Sequence, residues 1–179
     1  IFGVIFCIYA RHISVMQNNN DKDKRFLEVL DRHKSVIAKV CCIYSSPSVD
    51  FDDLYQETVI NLWNGFDKFR GDAKISTWIY RAAINTCITW NRRNKKHANN
   101  ISLEPDMPVT TDDDSGKLAD YKQLQYLISK LNPIEKAIIT LWLDEKSYEE
   151  IASITGISHA NVAVKLHRIK EKMSKMSEL

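Results

Sequence analysis

The run from Ser147 to Val162 constrains this chain more than any other segment. Ser147-Tyr148-Glu149-Glu150 has the form of a capping box, in which a serine hydroxyl and a carboxylate three residues on satisfy each other's backbone donors at a helix start. Ala152 is small enough for a close helix crossing, and Gly156 can take the left-handed turn conformation without a Cβ penalty. Val162 then returns an apolar contact from the next helix. A small residue, a glycine and an apolar residue at these spacings define a helix-turn-helix.

The second helix of the motif, which Ser158 can cap, turns Val162, Leu166, Ile169, Met173 and Met176 inward at alternating steps of four and three. At about 100 degrees per residue, the opposite face collects Ala160, Asn161, Val164, His167 and Arg168. That face suits duplex DNA: an exposed Val164 can meet a thymine methyl, and Lys165, Lys170, Lys172 and Lys175 can hold phosphates. His159 and His167 read as groove or surface residues, because no second His or Cys stands one helical turn away to complete a metal site. The bland alternative is a helical hairpin with a solvated basic face.

The rest of the chain reads as helix too. Its 179 residues are 44% apolar and 27% charged, with five glycines and four prolines, which fits two small helical modules better than a strand-rich fold. Phe26, Leu30, Ile37, Val40 and Cys41 mark a helix over residues 21 to about 44, broken by Ser45, Ser46 and Pro47. A second helix is expected from Asp50 or Asp52 to Trp63 or Phe66, with Tyr55, Thr58, Leu62 and Phe66 inward. After a charged loop turned by Gly71 and Asp72, a long helix capped by Ser76 carries Ile79, Ala83 and Cys87 inward. Leu118, Tyr121, Leu124, Leu127, Ile128 and Leu131 form a later stripe, and Asn132-Pro133 stops it and starts the next helix.

Charge separates these parts. Residues 21–97 carry fourteen Lys and Arg against ten Asp and Glu, residues 98–120 one against six, and residues 121–179 nine against seven. Residues 98–117, with Pro105, Pro108, Gly116 and the run Asp112-Asp113-Asp114, are expected to form a flexible acidic linker between two basic modules. Cys7, Cys41, Cys42 and Cys87 have neither metal nor disulfide spacing and read as reduced core thiols. The apolar residues 1–10 are too short to span a bilayer, so no membrane insertion is expected. Polar sequence begins abruptly after Met16, which is the expected physiological start, with an extension before it. No nucleophile–base pair, metal cluster or phosphate-binding glycine loop is visible, so neither an active site nor a cofactor is expected.

On the long helix, Arg81, Asn85, Thr89, Arg92 and Lys96 line one polar stripe, close in sequence to Trp78, Tyr80 and Trp90. Cations, an amide and aromatics in this arrangement suit a partly unpaired nucleic acid strand, whereas a plain solvated stripe is the alternative. Trp78 reads as core, and Trp90 is open to either role. Asp53, Gln56 and Glu57 share the outward side of the second helix.

Three segments, Asp53-Leu54-Tyr55-Gln56-Glu57, Phe69-Arg70-Gly71-Asp72 and Ser76-Thr77-Trp78-Ile79-Tyr80-Arg81-Ala82-Ala83-Ile84-Asn85, together resemble region 2 of sigma-70 family factors, in their extracytoplasmic-function (ECF) group. Leu131-Asn132-Pro133 and Ser147-Tyr148-Glu149-Glu150-Ile151-Ala152 with the following helix resemble region 4 of the same group. The resemblance implies an all-α fold of two small modules, one over residues 21–97 and one over residues 118–179. It implies an alternative sigma factor in the cytoplasm, in which Asp53, Gln56 and Glu57 dock on core RNA polymerase. Arg70, Lys74, Arg81, Asn85, Thr89, Arg92, Arg93 and Lys96 would serve the minus-10 element, with Asn85 and the loop from Phe69 to Thr77 capturing a flipped base. His159, Asn161, Val164, Lys165, His167 and Arg168 would serve the minus-35 element, and the acidic linker would thread the RNA exit path. Ala163 departs from the basic residue that many relatives carry there. Without a sensor domain between the modules, control by an anti-sigma factor is the implied mode. Two readings from other classes stay open: a stand-alone dimeric regulator reading operator half-sites, and a protein-only adaptor.

Overall fold

Apolar residues recurring every three or four positions become α-helices in the computed structural model, which describes residues 20–46, 49–94 and 115–177. Among these residues there are seven: α1 (Asn20–Tyr44), α2 (Phe51–Phe66), α3 (Ile75–Asn94), α4 (Ser115–Ser129), α5 (Pro133–Leu143), α6 (Tyr148–Thr155) and α7 (His159–Ser177). No strand occurs among the described residues, and a single antiparallel bridge pairs Ser46 with Val49 between α1 and α2. Met16, Cys7 and the expected linker up to residue 114 lie outside the described residues.

The chain divides into two units at Lys34 and Ser35. The first contributes the opening of α1, where Phe26 and Leu30 are buried. The second, Ser35–Leu179, holds the end of α1 and the six later helices. Within it α2 packs along α3, and α4, α5 and α6 all pack on α7.

Local chemistry explains the starts of α2, α5 and α6. The Asp50 carboxylate accepts from the Asp52 and Asp53 amides at 2.8 and 3.3 Å and caps α2. On α2 the buried residues are Leu54, Thr58 and Leu62. Thr58 and Leu62 lie inward as expected, but the structure buries Leu54 where Tyr55 was expected and leaves Tyr55 and Phe66 half-buried. Helix α3 begins one residue before the expected cap: the Lys74 carbonyl accepts the Trp78 amide, so Ser76 lies inside the first turn. Gly65 allows α2 and α3 to close up, since a Cβ there would stand 3.3 Å from the Trp78 indole. Trp78 completes the seam by packing on Phe66 and Phe69, with ring centroids 6.3 and 5.3 Å away.

Between α1, α2 and α3 lie Cys41, Thr58 and Cys87, all fully buried, with the Cys41 Sγ 3.6 Å from the Thr58 Oγ1. The neighbouring Cys41 sulfur and burial together push the Cys87 thiol far above its ordinary range. Half-buried Cys42 is also raised, by burial and by Cys41.

The second half follows its caps. Asn132 and Glu135 form a reciprocal capping box, the Glu135 amide donating to Asn132 Oδ1 at 2.9 Å and the Asn132 amide to Glu135 Oε2 at 3.0 Å, with Pro133 at the first helical position. Ser147 and Glu150 form another, at 3.2 and 3.1 Å. Helix α4 starts at Ser115, so the last three residues of the expected linker are helical. Propagating a helix costs little once Leu127 and Ile128 are packed, which carries α4 back to this point. At the turn, Gly156 adopts φ 76° and its amide donates to the Ala152 carbonyl at 2.9 Å. The core here comprises Ala137, Ile138, Leu141, Ile151, Ile154, Val162, Leu166 and Ile169.

A Cβ at Gly156 would meet nothing within 4 Å, so the demand on this residue is conformational rather than steric. Gly156→Ala is therefore expected to lower stability by about 1–2 kcal/mol, the cost of holding an L-residue left-handed. Urea unfolding followed by far-UV circular dichroism would read this as a lower midpoint with an unchanged slope.

Candidate nucleic-acid interface

Burial of Val162, Leu166 and Ile169 fixes which side of α7 faces outward. Asn161, Val164, His167 and Arg168 all lie on that exposed side, and Val164 keeps 49% of its surface open. Lys165 flanks them, half-buried. The two histidines are engaged by neighbouring acids: His159 Nε2 stands 3.2 Å from Glu149 Oε1 across the turn, and His167 Nε2 stands 3.6 Å from Glu171 Oε1 one turn along. The His159 ring also packs on Tyr148, with centroids 5.7 Å apart.

Not every lysine expected on phosphate is offered to it. Lys170 lies 3.7 Å from the centroid of the Trp142 ring, and Lys172 pairs with Glu135 at 2.9 Å. These contacts tie α7 to α5, an anchoring role that sequence spacing did not reveal because both partners lie well over twenty positions away. Met173 and Met176, expected inward, are half-buried where the helix runs past its neighbours.

On α3, Arg81, Asn85, Arg92 and Arg93 are exposed and Thr89 is half-buried, so the stripe forms a polar edge up to Arg93; Lys96 lies outside the described residues. Arg70 is exposed in the loop before α3. Lys74, in the same loop, reaches Glu150 Oε1 at 3.4 Å. Trp90 is half-buried, whereas Tyr80 is buried and unavailable for stacking on a base. The Tyr80 hydroxyl donates to Asp144 Oδ2 at 2.7 Å. Burial, then the Asp144 carboxylate, hold this phenol far above its ordinary range.

Asp53 and Gln56 are exposed on α2, with Glu57 half-buried beside them. Glu57 accepts from the Asn61 amide at 3.3 Å, and the same amide reaches Thr86 on α3, so the acidic face is fixed to the polar helix behind it. Among the described residues there is no grouping of three or more His, Cys, Asp or Glu able to hold a metal, and no helix long and apolar enough to cross a membrane.

A helix-turn-helix with an open outward face, beside a helix edged with arginines, defines a DNA-binding protein of helical modules. The models of Sigma-70 region 2 and Sigma-70 region 4 match residues 29–97 and 121–173. The RNA polymerase sigma factor YlaC of Bacillus subtilis is 35% identical over 136 residues, covering 70% of this chain and 79% of that protein. The ECF RNA polymerase sigma-E factor of Escherichia coli is 28% identical over 169 residues, covering 87% of each. Among solved structures, the sigma factor RpoE of Bartonella quintana, determined with the anti-sigma factor NepR, superposes with a TM-score of 0.67 at 18% identity, covering 89% of this chain and 98% of that one. The chain belongs to the sigma-70 family, in its ECF group. It is an alternative sigma factor, a specificity subunit that directs RNA polymerase to promoters.

The capping carboxylate Glu135 couples the region 4 fold to pH. Burial opposes ionisation of Glu135, but hydrogen bonds from Lys172 and the Asn132 amide outweigh it and hold the carboxyl below its ordinary range. The depressed value means that the stabilisation is complete above the ordinary glutamate range and is lost as pH falls through the folded value. Acid unfolding of the wild type is expected to be steeper than that of Glu135→Gln, whose melting temperature changes less between neutral pH and pH about 3.

Proposed function

We propose that the exposed faces divide promoter recognition between them. Asp53, Gln56 and Glu57 on α2 engage core RNA polymerase. Arg70, Lys74, Arg81, Asn85, Thr89, Arg92, Arg93 and Lys96 engage the minus-10 element, with Asn85 holding an unstacked base. His159, Asn161, Val164, Lys165, His167 and Arg168 engage the duplex minus-35 element.

The observation that carries this reading is the outward face of α7: an amide, an apolar tip and an arginine exposed together on a helix whose opposite side buries Val162, Leu166 and Ile169. An α-helix of this kind fits the major groove, where amide and guanidinium groups read base edges and an apolar side chain meets a thymine methyl. The exposed guanidinium groups along α3 support the second part, because cations spaced along one edge follow a phosphate backbone. Capturing an unstacked base offsets the few kcal/mol of unpairing, so strand opening follows from binding energy. The protein itself has no catalytic centre in this scheme, and chemistry stays with the polymerase. It works in the cytoplasm and is restrained by an anti-sigma factor, a mode supported by the similar RpoE having been solved with NepR.

Run-off transcription with purified core polymerase on genomic promoter fragments tests the whole reading. Discrete transcripts that require this protein are expected; DNA binding without core, and no effect on initiation, would replace the proposal with a stand-alone regulator. Asn85→Ala is expected to slow open-complex formation, measured by permanganate footprinting, while core affinity stays the same. Lys165→Ala is expected to weaken minus-35 binding evenly across sequences and reduce the salt slope by about 1, whereas Val164→Ala alters preference at one base pair.

A further inference from the structure

Two adjacent glutamates open α6, and they do different things. Glu150 closes the capping box, accepting from the Ser147 amide at 3.1 Å. Glu149 takes no part in that box and turns to the first residue of α7, where its Oε1 lies 3.2 Å from His159 Nε2. Tyr148 holds the same imidazole from a second side, with ring centroids 5.7 Å apart and an interplanar angle of 52°. Hydrogen bonds from its own amide and from Ser147, together with the nearby imidazole, hold the Glu149 carboxyl below its ordinary range. Glu149 is therefore a full negative charge aimed at one edge of His159.

That charge decides what the imidazole offers to DNA. A neutral imidazole carries one proton, and the partner at one ring nitrogen sets which of the two holds it. A carboxylate facing Nε2 favours the proton there and leaves a lone pair on Nδ1. The His159 side chain keeps 56% of its surface open, and Nδ1 lies on the ring edge that Glu149 does not take. Residues at the start of a recognition helix are the ones that reach base edges. In the major groove adenine and cytosine present an amino donor, whereas the exocyclic groups of guanine and thymine are acceptor oxygens. A lone pair at Nδ1 accepts from the first two bases and is repelled by the oxygens of the others.

We propose that Glu149 is a specificity determinant for the minus-35 element: by fixing the His159 proton on Nε2, it makes Nδ1 an acceptor that selects adenine or cytosine. It is a positioning residue, acting through His159 without touching DNA. This role rests on the reading that places His159 on the minus-35 duplex, and it adds to that reading what the histidine recognises there.

The tautomer is tested on the free full chain. Imidazole nitrogen shifts measured by NMR at pH about 9, above the ordinary histidine range, separate a protonated ring nitrogen from one with a lone pair. His159 is expected to hold its proton on Nε2 in the wild type, to lose part of that bias in Glu149→Ala, and to shift toward Nδ1 in Glu149→Lys, where an ammonium group favours a lone pair facing it. The same Nε2 share in all three proteins would overturn the positioning role.

Base selection is tested with the protein bound to core polymerase, on promoter fragments in which each minus-35 base pair is replaced in turn by the other three. The wild type is expected to favour adenine or cytosine over guanine or thymine about fivefold at one position, the discrimination of a single hydrogen bond. Glu149→Ala weakens this ratio and Glu149→Lys reverses it, whereas in a His159→Ala background neither substitution moves it. A glutamate that merely braced the turn would change the melting temperature and leave the ratio as it was, so an unchanged ratio would overturn the specificity role. A ratio that still moved in the His159→Ala background would overturn the route through the histidine. If the protein supports no run-off transcription, the sigma reading falls and base selection with it, while the nitrogen shifts of the free chain still report the tautomer.

Discussion

Burial of Val162, Leu166 and Ile169 on one side of α7 is the constraint on which the rest depends. Val162, Leu166 and Ile169 repeat at four and three residues and leave no freedom in how the helix can rotate. Once they are packed against α5 and α6, the direction of Asn161, Val164, His167 and Arg168 follows. The turn at Gly156 then sets the crossing of α6 and α7, and the two capping boxes fix where α5 and α6 begin. A recognition surface built this way is rigid because its orientation is stored in the core behind it.

The electrostatics of the region 4 half are arranged less for reach than for restraint. Lys170 rests on Trp142, Lys172 on Glu135, and the two histidines on Glu149 and Glu171. Lys170 and Lys172, engaged at home, must exchange those contacts before they can meet a phosphate, which lowers the gain per contact. Exposed Arg168 pays no such toll in the contacts seen here, and it lies on the face beside Val164.

Much of this was legible in the sequence because it is local. Ser147-Glu150, Asn132-Pro133 and Gly156 act within a turn of themselves, and the structure shows each in its expected capping or turning role. The inward residues of α1 and α3, and Val162, Leu166 and Ile169 of α7, followed from period alone, whereas Met173 and Met176, expected inward, are half-buried. Where period ran out, so did the reading: Leu54 and Tyr55 are adjacent and both apolar enough, and only the packing of α2 against α3 decides between them. Tyr80 was grouped with base-stacking aromatics, yet its hydroxyl is bonded to a carboxylate 64 positions on, a pairing no window over the sequence contains. Asp144 drew no notice for the same reason; it follows a helix end, where acidic residues are common and carry no signal.

Cys41 and Cys87 show a different use of packing. Sealed with Thr58 between three helices, their sulfurs are out of reach of water, and the Cys87 proton is held tightly by the adjacent sulfur and by burial. A protonated, enclosed thiol is a poor nucleophile and a poor target for oxidants. Cys41 and Cys87 are thus shielded from peroxide and disulfide exchange by their burial, and they stay so only while α1, α2 and α3 remain closed around them. Loss of that packing would convert two inert core residues into reactive ones, so damage to the fold and exposure to oxidation are, for this module, a single event.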